Sequence, residues 1–361
     1  MRQAGKDLNV RYVLGGSIQR QADQVRVTAE LIDVTDGSRI WSERWDRPIE
    51  DVFAVQTEVA ERVANTLGGY NLLLHESKIA AKRKRPSDLQ AYDLYVLSYE
   101  ADQQGTEKSF KKGIEYADAA IGRDPRLARA YVQKGWLLFH LAAYRKNWDE
   151  AFAEMEQLAR KAIDVDPNDA IGHALLAFTI AGPRSSEAAE AAARALALNP
   201  SSADVLNITA DGMPFYGKAK EGAASCDRAF RLSPDPPVWY YADCVAPYFF
   251  SKRFEDAIEA ANRWRTINPL NPFVLVMMAG AQAELGRKAD AARTVAEIEE
   301  RYPEISYEYL HNNLAWRFAR EEDEQFVLAA IRKAGIRICG TEKELQPGSD
   351  RLPECTLTQP K

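Results

Sequence analysis

Apolar residues recur at helical spacing through residues 88–336, in amphipathic stretches that stop at prolines placed at nearly equal intervals. The prolines are Pro125, Pro167, Pro200, Pro234, Pro269 and Pro303, with gaps of 42, 33, 34, 35 and 34 residues. An acidic or amide residue precedes four of them, as in Asp124-Pro125, Asp166-Pro167, Asn199-Pro200 and Asn268-Pro269. Proline lacks a backbone N–H and disfavours helix in the residue before it, so each reads as the boundary between one helix pair and the next. Residues 24–34 follow a different rule. Val25, Val27, Ala29 and Leu31 alternate with Arg26, Thr28 and Glu30, the period-2 pattern of a half-buried strand.

A repeat near ~34 residues is the spacing of a tetratricopeptide (TPR) array, in which one helix pair cannot bury its apolar face alone and stacks on its neighbours. The period predicts small or apolar residues where the two helices of a pair cross. Ala279 and Ala291 fall at those positions, with Leu275 as an apolar knob; Tyr241, Tyr248 and Ala257, then Tyr131 and Gly135, then Ala177 fall there in other repeats. The 42-residue gap carries about eight extra residues near Ala142 to Asp149, which predicts a longer helix pair or an extended turn. Pro214 predicts that a first helix ends near Met213, and Gly222 stands where a helix former is expected. A last pair, Tyr307–Phe318 and Glu321–Ala334, has no closing proline and would cap the stack.

Before the repeats, residues 10–20 read as a first strand and Arg39 to Trp45 as a third, with Trp41, Glu43 and Trp45 on one side. Asp36-Gly37 supplies the turn between the second and third. A helix from about Glu50 to Leu67, ended by Gly68-Gly69, would cover them. The expected fold class is mainly α: a TPR-type α-solenoid of helical hairpins preceded by a small, truncated α/β unit of antiparallel strands plus a helix. The expected boundaries are 1–70 for the α/β unit, 71–90 for a basic linker, 91–336 for about six repeats plus capping helices, and 337–361 for a disordered tail rich in polar residues, Pro and Gly. Unpaired strand edges in so thin a unit offer a surface for self-association.

The formal charge of −6 and pI near 5.5 argue against a nucleic-acid platform. The longest apolar run, Phe273 to Ala281, has the length of a core helix rather than a bilayer span. With no apolar signal segment at Met1 to Leu8, the expected location is the cytoplasm, or the periplasm if a parent protein carries an upstream membrane span. Four cysteines are present: Cys226 and Cys244 read as small core residues, and Cys339 and Cys355 as reduced thiols that could alternatively close a loop in an oxidising compartment. His75, His140, His173 and His311 lie far apart, and none has a neighbour at metal or triad spacing. Gly15-Gly16 lacks the spacing of a dinucleotide loop. No catalytic, metal or cofactor site is expected, and Lys82-Arg83-Lys84-Arg85 reads as a solvated linker.

In a TPR array the first helix of each pair lines the groove. Mapping the period places Trp136, Phe139, Phe178, Phe215, Trp239, Phe249, Phe250 and Phe273 there, alongside Asp204, Asn207 and Asp211. The surface is aromatic and poor in Lys and Arg, so the expected occupant is an apolar protein or peptide segment rather than a carboxylate-bearing one.

The runs Val10 to Ile18, Val25 to Asp33, Gly37 to Asp46 and Asp51 to Gln56 resemble the second half of a TolB-like α/β domain. Lys84-Arg85-Pro86-Ser87-Asp88-Leu89 resembles its junction into TPR repeats. This combination is similar to the C-terminal region of bacterial class III adenylate/guanylate cyclases, and also occurs in some TPR-containing transcriptional regulators. The resemblance implies that Met1 to Leu8 corresponds to a helix midway through the α/β domain, and that the cyclase domain is absent from this chain. The expected function is a non-catalytic interaction or regulatory scaffold from a cyclase-type signalling protein. The alternative is the sensor or output arm of a transcriptional regulator, and homology would label the chain an adenylate cyclase.

Overall fold

The computed structural model describes residues 10, 12–34, 37, 39–48, 59, 89–182, 184–265, 271–313, 318–345, 349 and 351–356. It divides into two compact units, Met1–His75 and Glu76–Lys361. The covering helix expected over 50–67, Pro269 and the basic run 82–85 lie outside the described residues, Val59 apart.

The first unit holds an antiparallel meander of β1 (Tyr12–Gln21), β2 (Gln24–Asp33) and β3 (Arg39–Pro48), with β2 central. The register sets Val27 opposite Trp45 and Leu31 opposite Trp41. Those side chains, with Val25 and Ala29, therefore share one face, and Val25, Ala29, Leu31 and Trp45 are buried. Val59 packs onto the Ala29–Trp45 cluster. Gly16 sits opposite Ala29, and a Cβ there would come within 2.3 Å of the Thr28 carbonyl oxygen. The strand pairing tolerates only glycine at that point.

The second unit is a run of helix pairs. They are α1 (Ala91–Gln103) with α2 (Glu107–Arg123), α3 (Ala128–Arg145) with α4 (Trp148–Val165), and α5 (Ala170–Thr179) with α6 (Ser185–Leu198). Next come α7 (Ala203–Gly212) with α8 (Ala219–Leu232), α9 (Trp239–Phe250) with α10 (Phe254–Arg265), and α11 (Pro272–Glu284) with α12 (Lys288–Arg301). The last pair is α13 (Tyr307–Asn313) with α14 (Glu321–Ala334), followed by a short α15 (Pro353–Thr356). Pro125, Pro167, Pro200, Pro234 and Pro303 all fall between pairs. Side chains cap the starts that follow: Asp169 accepts from Ile171, Ser202 from Val205 and Asn271 from Phe273.

Small residues set the spacing within and between pairs. Ala177, Ala257, Ala279 and Ala291 are all buried at the predicted crossings. A Cβ on Gly135 would lie 3.0 Å from Leu175. Gly222 has a reason that the period alone does not supply: a Cβ there would be 3.0 Å from the Ala210 carbonyl oxygen and 3.3 Å from Pro247. Glycine lets α8 press against α7 and α9 together, which offsets its helix penalty of about 1 kcal/mol. Pro214 does end its helix, and Met213–Tyr216 continues as a single 3-10 turn.

The extra residues after Pro125 lengthen both helices of the pair, to 18 residues each. Their far end reaches across the array. Trp148 meets Phe273 at 5.9 Å between ring centroids, and Lys146 pairs with Glu304 at 2.8 Å. Hairpins four places apart in the chain are thus joined, beyond the nearest-neighbour contacts of a simple stack. Trp148 is 6% exposed. Trp148→Ala is expected to cost about 3–5 kcal/mol in urea unfolding, because a buried indole leaves a cavity that neighbouring helices cannot fill. A cost below about 1 kcal/mol would mean that the cross-array contact contributes nothing.

The tail expected to be disordered is, over its described residues, packed. The backbone N–H groups of Tyr307 and Glu308 donate to the carbonyls of Arg337 and Ile338. The Glu308 carboxylate is fully buried and accepts from Gly340 N (2.9 Å), Leu352 N (2.8 Å) and Arg351 Nε (3.1 Å). Cys339 and Cys355 form a disulfide beside it, with Cα atoms 5.4 Å apart. Cys226 on α8 and Cys244 on α9 form a second, both in the core, with Cα atoms 5.8 Å apart. The expectation of reduced thiols is therefore corrected. Polar composition suggested disorder, but one buried carboxylate with several donors organises the segment. Mass spectrometry after denaturing, non-reducing alkylation is expected to find no modified cysteine. Glu308→Ala should destabilise by roughly 3–5 kcal/mol, since it strands the Arg351 charge; an unchanged urea midpoint would refute the anchoring role.

Candidate interaction groove

The first helices of successive pairs contact one another (α3 with α5, α5 with α7, α7 with α9, α9 with α11) and form an inner layer. The second helices lie outside. Six of the eight predicted groove residues are half-buried on the inner layer or its rim: Trp136, Phe139, Phe178, Phe215, Trp239 and Phe273.

Four of them belong to one aromatic network. Trp136 lies 4.9 Å from Phe178, and Phe139 lies 5.3 Å from Phe178 and 5.5 Å from Trp148. Through Trp148 the network reaches Phe273. Phe249 and Phe250 differ from expectation: they are 1% and 7% exposed. Phe326 of α14 covers both, at 5.1 and 5.9 Å. Phe318 stacks on Phe215 at 5.0 Å and reaches Phe250 at 5.1 Å, while Ala319 N donates to the Phe215 carbonyl. The segment around 318–330 thus fills that end of the expected groove with the chain's own side chains. Gly280 permits the fit, since a Cβ there would sit 3.1 Å from the Phe249 ring.

Beside the aromatics runs a polar strip that the apolar reading undervalued. Asp204, Asn207 and Asp211 are spaced to share one face of α7. Tyr240 Oη donates to Asp204 Oδ1 at 2.7 Å. Asn207 is fully buried, and its Nδ2 donates to the Tyr240 carbonyl and to Cys244 Sγ, both at 3.1 Å. Tyr99 of α1 shares a side-chain hydrogen bond with Trp239 of α9, which joins the first pair to the fifth. Indole can only donate, so the tyrosine oxygen accepts. Burial and the Asp204 charge push the Tyr99 phenol far up. His140 Nδ1 meets Asp102 Oδ1 at 2.7 Å and His173 Nε2 the Pro167 carbonyl at 3.1 Å, whereas His311 Nδ1 is buried without a hydrogen bond, 3.7 Å from Glu324.

Asp211 is pushed up to about 7 by burial. Asp243 of α9 is raised well above the usual carboxylate range, first by burial and then by the Asp211 charge. The sequence signal for this feature was the Asp-Asn-Asp spacing on α7. Asp243 carried no signal, because only stacking brings it to Asp211.

No family model matches the chain. A protein of Rhizobium meliloti (strain 1021) named "Putative adenylate cyclase 3" is 33% identical over 194 residues, covering 53% of this chain and 32% of that protein. The match spans about a third of that relative's length. Among solved structures, the human IFIT1 dimer with m7Gppp-AAAA superposes with a TM-score of 0.50 at 12% identity, covering 75% of this chain and 66% of that one. A monomeric mutant of IFIT1 with Gppp-AAAA gives a TM-score of 0.50 at 12% identity, with 72% and 63% covered. The likeness and the constant helix-pair period agree. The array is a TPR-type α-solenoid. Among the described residues, no helix is long and apolar enough to cross a membrane.

Both aspartates have folded-state values above the ordinary carboxylate value near ~3.9, so the folded array holds protons that the unfolded chain releases. Stability is highest below that value and falls as pH rises towards about 7. Urea unfolding is expected to show a loss of about 3 kcal/mol or more from about pH 5 to about pH 8, smaller in Asp211→Asn, where the buried Asp243 alone still holds its proton. The same pH slope in wild type and variant would contradict the assignment.

Proposed function

We propose that this chain is an interaction scaffold from an adenylate-cyclase-type signalling protein. It docks a protein segment along the inner layer of its solenoid and performs no cyclisation on its own residues. The observation that carries the reading is the half-buried aromatic network of Trp136, Phe139 and Phe178 on first helices, a surface of the kind that binds apolar anchors. The cyclase link rests on the partial match to the Rhizobium meliloti protein. The acidic strip opposes phosphate backbones and supports a protein rather than a nucleic-acid partner.

We read the three-stranded unit as TolB-like, in keeping with its antiparallel meander and buried Trp45 face. The pairing of all four cysteines supports an oxidising compartment, such as a periplasm, over the cytoplasm.

The test places a photo-crosslinking residue at Trp136 or Trp239, and as controls at the exposed outer positions Lys161 and Arg194. Partner crosslinks are expected from the inner positions alone. Crosslinks confined to the outer positions would overturn the docking reading. The purified chain, given ATP with Mg²⁺ or Mn²⁺, is expected to yield no cyclic AMP, and metal-dependent turnover would defeat the scaffold assignment.

A further inference from the structure

Asp211 is the one residue of α7 that is not buried. Asp243 is likewise half-buried on the facing helix α9. Among the described residues, neither carboxylate makes a hydrogen bond or an ion pair with a protein donor, although the Tyr216 hydroxyl is near enough to Asp211 to feel its charge. This contrasts with the rest of the unit, where inward-facing charges are matched: Asp102 by His140 and Gln133, Glu308 by Arg351. Two further polar atoms nearby are buried without partners. One is Asn207 Oδ1, on the same stripe of α7, whose amide hydrogens are already used by Tyr240 and Cys244. The other is the Tyr216 hydroxyl, close enough to Asp211 to feel its charge. Buried polar atoms ordinarily have partners, so two carboxylates and two polar atoms without protein partners in this part of α7 and α9 call for a group from outside the chain.

We infer that the half-buried pair Asp211 and Asp243 receives a lysine or arginine side chain of the segment docked in the groove. This deepens the scaffold reading and rests on it. The chemistry is complementary: ammonium and guanidinium groups carry donors and no acceptor, and the pair offers acceptors. Either cation would favour the ionised forms of Asp211 and Asp243, which burial otherwise disfavours. The half-buried Trp239 on α9 fits the apolar stem that such a side chain carries to its charge. A single divalent metal fits less well. Metals draw oxygen ligands to about 2.0–2.6 Å, yet among the described residues only Glu308, Cys339 and Cys355 bring three candidate ligand atoms within 4.8 Å of one another. Those two cysteines are already joined to each other.

The test is selection of a random peptide library on the whole chain, followed by titration calorimetry. Selected peptides are expected to share one basic position flanked by apolar residues. Replacing that residue with neutral citrulline (for arginine) or norleucine (for lysine) should weaken binding at least about tenfold. On Asp211→Asn/Asp243→Asn, the preference for the basic position should vanish while the apolar positions persist. If the double variant does not fold by circular dichroism, the neutral-analogue comparison on wild type decides alone. Selected peptides without a basic position, or neutral analogues that bind equally well, would overturn this inference and leave the docking reading standing. A library that yields no binder would overturn both.

Discussion

A single helix pair has one apolar face and no means of covering it. Every other feature of the larger unit follows from that constraint. Each pair is stable only because the next one buries its exposed stripe, so the chain must repeat its pattern at constant length and keep small residues where helices cross. The same logic makes ends and irregularities informative. Where a pair lacks a neighbour, something else must cover it: α14 with Phe326 does so over Phe249 and Phe250, and the disulfide-bonded tail does so over α13.

A stack of this kind is elastic when only neighbours touch. Here the lengthened α3–α4 pair places Trp148 against Phe273 and Lys146 against Glu304, and Tyr99 meets Trp239. Contacts between hairpins far apart in the chain add resistance to opening beyond that of a nearest-neighbour stack. On the proposed docking reading, the surface offered to a partner is narrower than a generic groove. It comprises the aromatic network around Trp136 and Phe178 and the acidic strip of α7 and α9. The two differ in what they demand. In the proposed reading the aromatic network favours any apolar anchor, whereas the half-buried Asp211–Asp243 pair discriminates by charge.

Much of the architecture was legible in the residues themselves. Prolines and helical periodicity are local signals, so helix boundaries, the capping pair and the end of α7 at Pro214 follow from neighbouring residues alone. The alternation of Val25, Val27, Ala29 and Leu31 likewise specified a strand and its buried face. Chain order and backbone chemistry suffice for such features, because each depends on residues within a few positions. The same period assigned Asp204, Asn207 and Asp211 to one face of α7, as their spacing on the helix requires.

What tertiary structure alone decided involves partners distant in sequence. The burial of Phe249 and Phe250 depends on α14 returning across α11, and nothing near either phenylalanine announces it. Cys226 and Cys244 meet because two helices turn back on each other at that point. Glu308 organises the tail through groups 32 and 44 residues away. Asp243 joins Asp211 through stacking of adjacent repeats. A sequence specifies which residues are apolar, small or charged, but a closed contact is a property of two surfaces, and only folding brings the second surface into place.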